Sequence, residues 1–163
     1  VTDEEEDGLP VFEYVAADAR FRGFEAQIDA ELFQLGRFDI HGDASIDYVR
    51  ATTRGQAVND LPRIPPLSSL VGLEARSEWL DLRGEGELAA KQTRTAEFEL
   101  PTEGYTVVNA FVTLRPFENA RGLSLRFAAA NLTNEEARLH TSFLKDVAPL
   151  PGRNFRFSLL GSF

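Results

Sequence analysis

Asp39, His41 and Asp43 stand at alternate positions of the segment Phe38 to Tyr48. In an extended chain every second side chain shares a face, so one imidazole and two carboxylates would project together. Zinc accepts that ligand set. Alternate residues of one strand lie about 7 Å apart, however, so the three donors converge only with help from neighbouring strands. They are the candidate metal residues of this chain. His41 and Ser45 share the same face, but nucleophilic catalysis needs a base within reach of the hydroxyl and a third group to orient it. No such set stands out, and no enzyme activity is expected. The same polar parity carries Glu25, Asp29, Glu31, Asp47, Asp81, Glu85 and Glu87, with Arg83 the one base among them. Such a wall focuses a field on small cations. It would equally serve as a hydrated surface packed against basic side chains from another part of the protein.

What must position these residues is a set of strands. Phe24, Ala26, Ile28, Ala30 and Leu32 alternate with Glu25, Gln27, Asp29 and Glu31, a period of two rather than the three-and-four spacing of a helix. Phe38, Ile40, Ala44, Ile46 and Tyr48 repeat it after a turn at Leu35-Gly36-Arg37. Val11 to Ala19 is strand-compatible as an earlier start. Residues 51 to 64 are polar, and Pro62, Pro65 and Pro66 argue against a strand there. Further strands are expected over Ser68 to Ser77, Trp79 to Lys91, Tyr105 to Arg115, around Leu123 to Ala129, and at Arg153 to Phe163. That makes seven. Connections alternate between short (34–37, 77–79, 116–122) and long (51–65, 92–104, 132–152). An up-and-down meander puts all short turns on one side and all long loops on the other, as in transmembrane barrels. Phe33, Phe38, Trp79, Phe117 and Phe163 gather by the short turns, and Tyr48, Tyr105 and Phe155 toward the loops, as interfacial girdles do.

The composition is compatible with this. The 163 residues are 43% hydrophobic yet contain no apolar run of helix-spanning length. There is no Cys, hence no disulfide framework or thiolate metal site. A net charge of −9 argues against nucleic acid, and against an anionic membrane surface, as a partner. Val1 to Gly8 lacks the basic and apolar regions of a signal peptide, so an outer-membrane chain of this sequence would be a piece of a longer precursor.

The closing segment Arg153-Asn-Phe-Arg-Phe-Ser-Leu-Leu-Gly-Ser-Phe163 has Phe155, Phe157, Leu159 and Phe163 on one parity and Arg156, Ser158 and Ser162 on the other, Leu160 excepted. It resembles the last strand of a bacterial outer-membrane barrel, whose terminal aromatic, here Phe163, is the assembly signal. Other segments resemble the TonB-dependent outer-membrane receptors: Asp7-Gly-Leu-Pro-Val-Phe-Glu-Tyr14, Ala16 to Ala19 and Gly23-Phe-Glu25; Leu61-Pro-Arg-Ile-Pro-Pro-Leu67; and Glu99 to Tyr105. Asn131-Leu-Thr-Asn134 is similar to that family's turn into a long loop, with Thr133 in place of an aromatic. His140 to Asp146 and Pro149 to Asn154 look like its closing loop, in the style of receptors for zinc or haem.

The resemblance implies an all-β chain, an antiparallel up-and-down meander of about seven long strands within a 22-stranded transmembrane β-barrel. Residues 1–163 would be its C-terminal segment, without the plug domain and the earlier strands. It also implies location in the bacterial outer membrane and TonB-energised uptake of a scarce nutrient: a metal ion such as zinc, a metal–siderophore such as an iron complex, or haem. No resident cofactor is implied. The partners would be outer-membrane lipid, the plug and remaining strands, TonB through that plug, and the barrel-assembly machinery. Seven strands cannot enclose so wide a lumen. The alternative is a soluble antiparallel β-sheet module that binds a ligand or partner.

Overall fold

The computed structural model describes residues 5–10, 18–54, 60–116 and 122–161. Phe163, Phe117 and most of the Val11 to Ala19 extension lie outside the described residues. A minimal hairpin pairs β1 (Glu5–Glu6) with β2 (Leu9–Pro10). The other described strands form one sheet of seven: β3 (Ala19–Leu35), β4 (Phe38–Thr53), β5 (Ser68–Arg76), β6 (Leu80–Ala89), β7 (Tyr105–Leu114), β8 (Ser124–Ala130) and β9 (Asn154–Leu160). Their order in the sheet is their order in the chain, and every neighbouring pair is antiparallel. The meander of seven strands is therefore as the alternation predicts.

The register separates two chemistries. Phe24 pairs with Tyr48, Ile28 with Ala44, Ile46 with Ser69, Leu73 with Gly84, Leu82 with Val112, Leu114 with Leu125 and Phe127 with Phe157. Paired residues share a face, so these side chains form one apolar surface from β3 to β9. It is not a core: Ile28 is 64% exposed, Leu73 55% and Phe157 68%. A water-soluble sheet of this size covers its apolar face with a second layer.

Among the described residues the alternation shifts at one place, and productively. Glu31 pairs with His41 and Phe33 with Ile40, so Leu32 is an extra residue in β3. Such a bulge lets two residues oppose one. Leu32 lies over Gly42, where an added Cβ would come within 3.0 Å of its Cδ1. Strict alternation would have turned Phe33 and Leu35 to the charged face and Gln34 to the apolar one. With the bulge, Leu35 pairs with Phe38 on the apolar side and Gln34 donates to Asp39 at 3.1 Å on the polar side. The turn beyond has Gly36 at φ 64, the conformation required at the first central position of a type II′ hairpin.

Two boundaries differ from the sequence reading. β4 runs to Thr53, past the expected end at residue 50, because Ala51 and Thr53 continue the ladder against Phe21 and Ala19. The terminal strand spans Asn154–Leu160. Aromatic contacts mark both ends of the apolar band: Phe38 with Trp79 (ring centroids 6.5 Å) beside the short turns, and Phe24 with Tyr48 (5.9 Å) toward the long loops. Ten residues separate Phe38 from Tyr48. At about 3.4 Å per residue and a tilt of about 45° they span roughly 24 Å, the height of a barrel's lipid-facing band.

Candidate functional site: the charged face and its loop cover

On the face opposite the apolar band, β4 places Asp39, His41 and Asp43 against Arg76, Glu74 and Gly72 of β5. On their other side stand Gln34, Glu31 and Asp29 of β3. Like charges directly opposite repel, and two such pairs occur, Asp29 with Asp43 and Glu25 with Asp47. Arg83 answers the first. It starts on β6, crosses β5 over Gly72, and grips Asp43 with both ends of its guanidinium, at 2.5 and 3.0 Å. Its Nε also donates to Glu85 at 3.0 Å. A planar fork against a carboxylate is a strong, directional contact. Gly72 makes it possible: an added Cβ would stand 2.6 Å from Asp43 Oδ1 and collide with the guanidinium. Arg76 pairs with Glu74 at 2.7 Å, and Arg115 with Asp81. Glu25, Asp29 and Glu31 on β3 form no salt bridge among the described residues, although Arg76 is near enough to Asp29 for their charges to interact.

The three candidate ligands are therefore side by side but differently engaged. Asp43 is held by Arg83 and Asp39 by Gln34, and His41 is half-buried between Glu31 and Glu74. Among the described residues no group of three or more His, Cys, Asp or Glu side chains is placed to hold a metal ion.

Nearer the long loops the face is covered. Tyr105 and Val107 belong to its parity but are apolar, and the 131–153 loop folds in to bury them with Ala137 and Leu150. Asn131 anchors that loop. Its left-handed backbone (φ 51) turns the chain, its Oδ1 accepts from the Glu135 amide at 2.8 Å, and its Nδ2 donates to the carbonyls of Glu135 (2.8 Å) and Pro151 (3.3 Å). Asn134 Oδ1 accepts from the Arg153 amide at 3.0 Å, so both ends of the Asn131-Leu-Thr-Asn134 motif fix the loop.

His140, almost wholly buried, joins this loop to the 90–104 loop through Thr102 Oγ1, 2.9 Å from its Nδ1. Its Nε2 lies 3.3 Å from Glu99 but makes no hydrogen bond. Burial pushes the imidazole pKa below its usual 6.5, and the Glu99 carboxylate opposes this. Glu99 in turn accepts from the Arg63 and Ala96 amides, drawing in residues 60–67. Beneath the three loops a cavity of about 250 Å³ is lined by Asp47, Ser68, Glu87, Tyr105, Arg138 and His140. Only alternation was available in the sequence to locate a site. It could not show that Gly72 would be a passage for Arg83, or that Tyr105 and Val107 break the polar parity because a loop covers them.

No family model matches the chain, and no curated protein matches it by sequence. Among solved structures, one titled "Copper transporter OprC" superposes with a TM-score of 0.77 and 23% identity over 90% of this chain. The chain has the fold of part of that transporter. It spans 24% of the transporter's length.

Proposed function

We propose that this chain is the C-terminal part of the barrel of a TonB-dependent outer-membrane receptor, and that the receptor takes up a scarce metal, as an ion or a complex. The observation that carries the reading is the uncovered apolar face, bounded by aromatic contacts and backed by a charged face. Lipid satisfies the first and a watery lumen the second. The open edges of β3 and β9 agree with it, since a 17-residue strand with unpaired backbone groups invites further strands. Copper transport by the fold neighbour, together with carboxylates along the lumen wall, favours a cationic cargo.

The test is the full-length protein in its own membrane. It should fractionate with the outer membrane, require detergent for extraction, and support growth on limiting metal. A protein that stays in solution without detergent would instead be the soluble sheet module. Phe163→Ser should lower insertion and leave material in the periplasm, because the closing strand presents its aromatic at the interface during assembly. Unchanged insertion would remove that role from Phe163.

A further inference from the structure

The apolar face changes character at its upper end. Moving along β3 and β4 away from the short turns, the Phe24–Tyr48 pair is followed by Arg22 paired with Arg50, then Arg20 with Thr52. All four charged or polar residues continue the lipid-facing parity. Arg22 and Arg50 put two cations about 5 Å apart at Cβ, an arrangement that costs stability unless an anion lies between them. Arg94 joins them from the 90–104 loop, donating to the Tyr48 hydroxyl at 2.9 Å with its guanidinium 5.6 Å from the ring centre. Of the four guanidiniums, only Arg50 has a carboxylate nearby among the described residues, Asp60 at 3.8 Å from its Nε. Arg20, Arg22, Arg50 and Arg94 are all exposed. In a chain of net charge −9, four arginines on one small outward patch run against the overall bias.

We propose that Arg22 and Arg50, with Arg20 and Arg94 at the sides, bind the phosphorylated headgroup of a glycolipid in the outer leaflet. The inference rests on the barrel reading above and adds a defined lipid site to it. Position decides the occupant. The patch sits on the lipid-facing side, one residue pair above the aromatic girdle, at the height where acyl chains give way to headgroups. Arginine forks bind phosphate oxygens in pairs, and a shared phosphate would relieve the Arg22–Arg50 repulsion while its acyl chains lie on Phe24 and Ile28. The overall negative charge predicts avoidance of anionic surfaces, and this patch is the local exception.

The experiment uses the full-length receptor in nanodiscs containing either lipid A with both phosphates or the same glycolipid dephosphorylated. Lipid retained by the protein is counted by native mass spectrometry. The wild type should retain the phosphorylated form about tenfold better, given paired charge-assisted contacts to phosphate. Arg22→Gln with Arg50→Gln should abolish that preference, and Arg126→Gln, on the opposite face, should keep it. Equal retention of both lipids by the wild type, an unaffected double variant, or equal loss in Arg126→Gln would overturn the proposal. So would displacement of the glycolipid by millimolar inorganic phosphate, which would assign the patch to a soluble anion. A receptor that enters the disc but does not discriminate refutes the lipid site alone. One that never enters refutes the barrel reading and this proposal with it.

Discussion

Replacing Asn131 by alanine removes the group that holds the longest loop onto the sheet. The side chain makes three hydrogen bonds, two at 2.8 Å and one at 3.3 Å, and the residue is buried with 3% exposure. Each of the two short bonds is worth about 1 kcal/mol net, the long one less. Alanine in the left-handed conformation that Asn131 adopts costs about 1 kcal/mol more. The loop should therefore open more readily by about 3 kcal/mol, roughly a hundredfold in its opening equilibrium. Hydrogen exchange of the full-length receptor in detergent reads this directly. Amides of Glu135 and Leu150, donors to Asn131 and Ala137 respectively, should lose about two decades of protection, while β6 and β7 keep theirs. Asn131→Asp retains the acceptor for the Glu135 amide and the backbone preference, so it should fall between. Protection unchanged in Asn131→Ala would refute the claim that this side chain anchors the loop. Equal losses in loop and sheet would show a global rather than local role.

Two further predictions concern the histidines. Because burial lowers the pKa of His140 below 6.5, its contribution to loop closure is complete above pH 6.5 and is lost as the pH falls toward the folded-state value. Proteolysis of residues 132–152 should accelerate on acidification in the wild type, and His140→Gln should flatten that dependence; a variant with the same pH profile as the wild type would count against it. His41→Ala should weaken zinc uptake by the intact receptor more than Asp47→Asn does, because it removes an imidazole rather than only a charge. If neither changes uptake, the row from Asp39 to Asp43 acts as a hydrated wall tied together by Arg83.

The fold was largely legible because each face of each strand meets a single environment along most of its length, so polarity records direction at every second residue. Phe24, Ile40, Leu82, Val108 and Phe157 lie together for that reason. Legibility fails where one face meets two environments. Tyr105 and Val107 face inward like Glu85 and Glu87, but a loop rather than water covers them. The candidate site was legible as a row and not as a constellation. Alternation places Asp39, His41 and Asp43 on one face, whereas the partners of each are set by cross-strand neighbours up to 40 residues distant, as with Arg83 and Asp43. Glu135 and Glu136 are the nearest carboxylates to His140 in the sequence before it, yet its contacts are Thr102 and Glu99 of another loop, a pairing that local spacing does not encode.

The extra residue at Leu32 acts on the strand as an inserted letter acts on a reading frame. Upstream of it, odd-numbered residues of β3 face inward; downstream, Phe33 and Leu35 face outward although they are odd as well. A relative lacking only that residue would run Glu31 directly into Phe33, keeping Phe33 and Leu35 on the apolar face and Gln34 on the charged one with no bulge at all. A single-residue gap at Leu32 should therefore go with the loss of the bulge and leave the hairpin's phase unchanged. Alignments of relatives should be judged here by the phase they keep, before any identity they score.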